Sequence, residues 1–228
     1  LAGYSYNDFK TTNYFYPSFD VDGVLQPGSE PNFAFDIPQN TLISYFGRLI
    51  YTFNDTYIVT GTVRTDGSSR FSENNRWGVF PSVSGAWKIS DENFLKDSEV
   101  VSNLKLRLGY GITGQQEGIG NYGYIPIYNL GEAFIQYPIG NQFVQGVNPT
   151  ATDRNRKWEQ STTYNIGVDW GFYDNRISGS FEVYVRQTDD LLNNVAIPSG
   201  TDFANSITKN IGSLENRGFE IKIDATPI

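Results

Sequence analysis

The chain has 228 residues, among them 23 Gly, 10 Pro, 15 Tyr, 16 Phe and 4 Trp, with no Cys, no Met and no His. Those absences exclude disulfides, thiolate nucleophiles, His-ligated metals and any Ser-His-Asp triad, and they leave no side chain whose ordinary pKa is near neutrality. A net charge of −8 argues against nucleic acid and against a polybasic patch on a membrane surface.

In chain order, period-2 alternation dominates, which is the signature of β-strands. A first strand is expected near Leu1 to Tyr6. From Ser44 to Phe53, Tyr45, Leu49, Tyr51 and Phe53 take one face while Ser44, Arg48 and Thr52 take the other. Asn54-Asp55-Thr56 reads as a tight turn, after which Tyr57, Val59 and Val63 alternate with Thr60, Thr62, Arg64 and Asp66. Val79, Val83, Trp87 and Ile89 then alternate with Ser82, Ser84 and Lys88, and Leu104, Leu106, Leu108 and Tyr110 with Lys105, Arg107 and Gly109. Trp158, Tyr164, Ile166, Val168, Trp170 and Phe172 alternate with Glu159, Ser161, Thr163, Asn165 and Asp169. Beyond the turn Tyr173-Asp174-Asn175, Ile177, Phe181, Val183 and Val185 alternate with Ser178, Ser180, Glu182 and Arg186. Phe219, Ile221, Ile223 and Ala225 close the series against Glu220, Lys222 and Asp224, giving about eight strands.

No apolar run approaches the ~18 residues of a membrane-spanning helix, but the strands are long enough for tilted membrane spans. The connections also alternate in length: Asn54–Thr56 and Tyr173–Asn175 are minimal, Ser90–Asn103 is intermediate, and Asn7–Leu42, Ile112–Arg156 and Asp189–Ile211 are long. Short turns at one end and long loops at the other mark an all-β, antiparallel, up-and-down transmembrane β-barrel. Tyr45, Phe53, Tyr57, Trp87, Trp158, Trp170 and Phe172 are placed as aromatics of the lipid interface. Arg48, Arg64, Lys105, Arg107, Glu159, Asp169, Glu182, Arg186, Glu220 and Lys222 fall on the face expected to line a wet lumen, where charge is tolerated. The competing reading is a soluble sheet with one solvated face.

Other motifs yield little chemistry. Gly109-Tyr110-Gly111-Ile112-Thr113-Gly114 matches G-x-G-x-x-G, but no helix can open after it, so it reads as a glycine-rich loop and not a dinucleotide site. Asp66-Gly67 reads as a turn, with Arg70 beyond it available to an anionic or sugar ligand. Glu117, Glu132, Asp189 and Asp190 lack a spacing that singles out an acid and a nucleophile, and the loop Asp and Asn residues lack a calcium-loop spacing. No catalytic residue, metal site or cofactor is assigned. Tyr122, Tyr124, Tyr128, Phe134, Tyr137 and Phe143 stand among amides and glycines, a composition suited either to recognition of sugar or peptide or to packing within the loop. Of these, Tyr122, Tyr124, Tyr128 and Tyr137 join Arg70 as candidate ligand contacts.

Several blocks in order carry a resemblance. Asp66-Gly67-Ser68-Ser69-Arg70-Phe71, Asn75-Arg76-Trp77-Gly78-Val79-Phe80-Pro81-Ser82-Val83-Ser84, Ile89-Ser90-Asp91-Glu92-Asn93-Phe94, the run Leu104 to Gln115, Trp158-Glu159-Gln160-Ser161 and Gly212 to Glu220 resemble the SusC/RagA family of TonB-linked outer-membrane proteins. The similarity covers roughly residues 42–226. It implies a large plugged barrel in the outer membrane of a Bacteroidota-like, Gram-negative cell, importing oligosaccharides or oligopeptides. The implied partners are a SusD-like surface lipoprotein, outer-membrane lipid and the TonB complex, the last reached through an N-terminal part expected to lie outside these 228 residues. With about eight strands against the ~22 of plugged transporters, and with Ala225-Thr226-Pro227-Ile228 reading as a periplasmic turn, residues 1–228 are expected to be one part of the barrel domain, without the plug. The alternatives are a complete eight-stranded outer-membrane barrel with a structural or adhesion role, and a soluble carbohydrate-binding or hydrolytic β-domain.

Overall fold

A computed structural model describes residues 1–130, 136–200 and 204–226. Eight long strands form one antiparallel sheet: β1 (Ala2–Lys10), β2 (Gln39–Phe53), β3 (Tyr57–Ser68), β4 (Trp77–Lys88), β5 (Val101–Gln115), β6 (Glu159–Phe172), β7 (Ile177–Asp189) and β8 (Ser213–Ala225). Each strand pairs with its neighbours in chain order, so the sheet is a simple meander. It is not closed: β1 and β8 are its two edges.

The short turns form for local reasons. In the β2–β3 turn Asn54 and Asp55 have φ of 50° and 54°, the left-handed region that Asn and Asp tolerate best after Gly, and the Thr56 N–H donates to the Phe53 carbonyl at 3.1 Å. The β6–β7 turn repeats the device with Asp174 and Asn175 at 56° and 60°, and Tyr173 at 51°. These turns and the segment joining β4 to β5 lie at one end of the sheet. The β1–β2, β3–β4, β5–β6 and β7–β8 connections lie at the other.

Two expected loops are strand. Gly109 to Gly114 belongs to β5, because Gly109, Gly111 and Gly114 hold register with Asn165, Thr163 and Gln160 of β6. Asp66-Gly67 likewise stays inside β3, opposite Gly78 and Trp77. Pairing on a long ladder overrides the weak intrinsic strand preference of Gly. The long connections carry short ribbons, such as Leu192–Ala196 against Ser206–Asn210.

Register keeps the two faces of the sheet distinct. Tyr57 faces Trp87, Val83 faces Tyr110, Leu108 faces Ile166 and Val183 faces Phe219, all on one side. That side is exposed: Leu49 by 75%, Leu108 by 52% and Phe219 by 69%. Leaving such a side chain in water costs about 1.5–3 kcal/mol relative to burial, so this band requires an apolar cover. Aromatic rings flank it. Phe53–Tyr57 and Tyr57–Trp87 contacts, at 6.3 and 6.2 Å between centroids, lie toward the short turns, while Tyr4–Tyr45 and Tyr45–Trp77, at 5.3 and 6.1 Å, lie toward the long loops. Among the described residues the buried apolar core is Phe71, Phe80, Ile119 and Trp158, with Leu42, Ile112 and Leu192 against it. It sits at the long-loop end and belongs to the connections more than to the sheet.

Candidate functional site

The polar face carries a charge network built on β5, β6 and β7. Arg107 is its centre. Its Nε donates to both Asp169 carboxylate oxygens at 3.0–3.1 Å, and its Nη1 reaches Glu182 Oε2 at 3.1 Å. Glu182 Oε1 in turn accepts from Asn165 Nδ2 at 3.0 Å, and Lys105 Nζ lies 3.9 Å from Asp169. The guanidinium lies flat across β6 because residue 167 is Gly: a Cβ there would sit 2.9 Å from Arg107 Nη2. These side chains remain a quarter to a third exposed, so the ion pairs keep part of their hydration. Beside them a polar groove of about 610 Å³ runs over Asn165, Glu182, Tyr184, Arg186 and Glu220.

The other charged residues expected on this face are arranged as follows. Arg64 pairs with Asp66 at 2.8 Å and donates to Ser44 Oγ at 2.9 Å. Arg186 Nε donates to Thr163 Oγ1 at 3.3 Å, and Lys222 pairs with Asp224 at 2.9 Å. Glu220 faces Glu182 directly in the β7–β8 register. Glu159 Oε2 accepts the Leu192 N–H at 3.2 Å, which ties β6 to the β7–β8 connection. Arg48 is exposed on the same face and has no ion pair among the described residues.

Of the seven expected interface aromatics, six lie on the apolar face: Tyr45, Phe53, Tyr57, Trp87, Trp170 and Phe172. Trp158 does not, and this corrects the sequence reading. It precedes the first residue of β6, where the ladder no longer dictates side-chain direction, and it is only 5% exposed. Its ring packs on Phe71 and Phe80 at 5.0 and 5.5 Å, and its Nε1–H donates to the Arg76 carbonyl at 3.1 Å. At the short-turn end Glu92 accepts from the Tyr57 hydroxyl at 2.6 Å and from Trp87 Nε1 at 2.9 Å. These donors hold its carboxyl below the ordinary carboxylate value.

At the long-loop end Arg70 is half-buried and bonded within the protein. Its Nε donates to Asn121 Oδ1 and its Nη1 to the Gln116 carbonyl, each at 3.3 Å, so it ties the β3–β4 connection to the β5–β6 connection. Tyr122 and Tyr124 are neighbours with ring centroids 6.5 Å apart, and Tyr124 lines a cleft of about 280 Å³ with Ser72, Pro126 and Arg154. Tyr128 and Tyr137 are exposed and stand apart from that cleft. Glu132 and Phe134 lie outside the described residues, as do Pro227 and Ile228. Among the described residues no group of three acidic side chains converges on a metal-sized site.

The sequence reading missed Arg156. It is 5% exposed and donates from Nη2 to the Thr208 carbonyl at 3.1 Å, while its Nε is buried without a partner among the described residues. Burial pushes its pKa down, with the Asp153 charge opposing. Nothing local distinguishes it from its neighbours Arg154 and Lys157; the only signal was a charged run placed directly before a buried Trp.

Known proteins share this architecture. The profile of the TonB dependent receptor-like, beta-barrel family matches residues 1–226. The chain is 54% identical over 190 residues to the TonB-dependent receptor SusC of Bacteroides thetaiotaomicron, covering 83% of this chain and 19% of SusC. It is 37% identical over 244 residues to the TonB-dependent receptor P3 of Formosa agariphila, covering 100% of this chain and 23% of that protein. The solved structure of the RagAB peptide transporter matches with a TM-score of 0.81 at 27% identity, covering 100% of this chain and 25% of that one. The chain thus spans about a fifth of the length of the curated relatives it matches. With an antiparallel meander of long strands, an apolar outer band and a salt-bridged polar face behind those matches, the chain belongs to the TonB-dependent receptor β-barrel family, among its SusC/RagA-like members.

Proposed function

We propose that residues 1–228 form part of the wall and outer loops of an outer-membrane importer that takes up oligosaccharides or oligopeptides. In this reading the apolar face meets lipid, the polar face lines the lumen, and the long connections face outward toward substrate and a SusD-like surface lipoprotein. Uptake is energised by the TonB complex through a part of the barrel protein other than this wall. The chain performs no catalysis; its contribution is a shaped, charged passage and a recognition surface.

The observation that carries the reading is the sheet itself. Its exposed apolar band and internally paired charges are the inverse of a soluble sandwich, and its open edges β1 and β8 need further strands before the sheet can sit in lipid. An eight-stranded barrel complete in itself would pair those two edges with each other. The similarity to the RagAB peptide transporter favours peptide, and oligosaccharide is the other class that the SusC/RagA resemblance implies.

The test is uptake by cells that carry or lack the gene. Labelled oligopeptides and oligosaccharides are supplied separately, with and without a protonophore. Gene-dependent accumulation of one class, abolished by the protonophore, is the expected result. Gene-dependent uptake that survives de-energisation would make the protein a passive pore and overturn the TonB-driven reading.

A further inference from the structure

We propose that Arg154–Trp158 is the keystone holding three of the long connections as one rigid platform, with Arg156 as its positioning residue. The consequence for uptake rests on the import reading above.

Four residues of the segment, itself part of the β5–β6 connection, grip the β3–β4 and β7–β8 connections. The Arg154 carbonyl accepts from Ser72 Oγ at 2.8 Å, in the β3–β4 connection. Arg156 donates to the Thr208 carbonyl at 3.1 Å, in the β7–β8 connection, and its Nη1 lies under Gly123 in the β5–β6 connection, 2.9 Å from where a Cβ would stand. Lys157 and Asn210 exchange two hydrogen bonds of 2.8 Å, backbone N–H to Oδ1 and Nδ2–H to backbone carbonyl. Asn210 also donates to the Asp190 carbonyl at 2.8 Å, and Lys157 Nζ pairs with the Asp190 carboxylate at 2.8 Å. Trp158 then returns to the β3–β4 connection through Arg76 and Phe71, and to β4 through Phe80.

A buried guanidinium with no ion pair among the described residues is a poor stabiliser on its own account. Here its reach makes it useful, because one planar group spans two connections at once. Contacts closed in this way open together, so the surface carrying Tyr122 and Tyr124 is presented preorganised and the ordering cost of binding falls.

The experiment uses the native outer-membrane protein, in detergent for amide hydrogen exchange and in cells for uptake. Arg156→Ala is expected to speed exchange in residues 120–125 and 206–210 together, by at least about tenfold, with β3 to β7 unchanged. Arg156→Lys should recover part of the protection. Gly123→Ala keeps every charge and pushes on Nη1, so it serves if Arg156→Ala does not fold; it should loosen the same two regions. Loosening confined to one region, or none in Gly123→Ala, overturns the keystone. In uptake, KM rises while the maximal rate holds. Joint loosening with an unchanged KM would overturn its role in recognition. Loss of gene-dependent uptake in the unmutated protein would refute the import reading, while the exchange data would still decide the keystone.

Discussion

Replacing Leu108 with Arg tests which face meets lipid. Leu108 is 52% exposed and sits between Gly85 and Ile166 on the apolar side. Ile166 lies two residues from Tyr164 and four from Trp170 on the same face, about 7 and 14 Å along a strand at ~3.4 Å per residue. A cationic side chain costs ~2–4 kcal/mol at the bilayer midplane and ~0–1 near the interfaces. This intermediate depth therefore calls for about 2 kcal/mol, a roughly 30-fold shift in the folding equilibrium. Ser84→Arg is the control: Ser84 is exposed on the polar face, directly opposite Gly109, and should stay within about 0.5 kcal/mol of the parent. Reversible urea unfolding of the native protein in phospholipid bilayers gives both numbers. A neutral Leu108→Arg beside a costly Ser84→Arg would refute the assignment of faces.

Trp158→Ala should destabilise the long-loop end by about 3 kcal/mol, nearly all of it packing, because the Arg76 carbonyl it leaves still accepts the Ser68 N–H at 3.1 Å. Faster chymotrypsin cleavage within residues 69–76, largely restored by Trp158→Phe, is the measurement. Asp169→Asn should cost about 1 kcal/mol rather than the several expected of a fully buried pair, since Arg107 keeps Glu182 and all three side chains are partly hydrated. A double-mutant cycle with Glu182→Gln in the same unfolding assay should show coupling below about 1 kcal/mol. Glu92 supplies a pH dependence with a defined sign. Its folded pKa is lowered by the Tyr57 and Trp87 donors, so its stabilising contribution is present above the ordinary carboxylate value of about 4.3 and is lost as pH falls through the lowered value. Thermal melts from neutral pH down to about pH 3 should therefore show a shallower acid limb for Glu92→Gln than for the parent.

Strand identity was legible wherever the two faces differ in chemistry, because period-2 alternation states both the element and its orientation. Leu104-Lys105-Leu106-Arg107-Leu108 could be read unaided, and the structure puts Arg107 against Asp169 on the face opposite the leucines. The turns at Asn54-Asp55 and Asp174-Asn175 were legible because few residues accept positive φ. Strand ends were not. Gly109 to Gly114 and Asp66-Gly67 look like breaks in a soluble protein, but each is held by a partner strand already in register, information that lies some 50 residues away for β5 and about 10 for β3.

The limit is sharpest where parity and environment part company. Trp158 has the parity of Tyr164 and Trp170, and extrapolating the alternation puts it in the lipid interface. The ladder begins at Glu159, however, and one residue before it the indole is free to turn into the Phe71–Phe80 cluster. Arg156 shows the same limit for charge. The sequence contains Arg107 and Arg156 as equivalent cations, yet one lies on a hydrated face with two carboxylates and the other is buried against a backbone carbonyl. What separates them is whether the residue stands on the ladder, where the face follows from counting, or beyond it, where Thr208 and Gly123 decide. The sheet is therefore written in local pattern. The contacts that join the long connections are written between segments about 50 to 82 residues apart, such as Arg156 with Thr208 and Trp158 with Arg76.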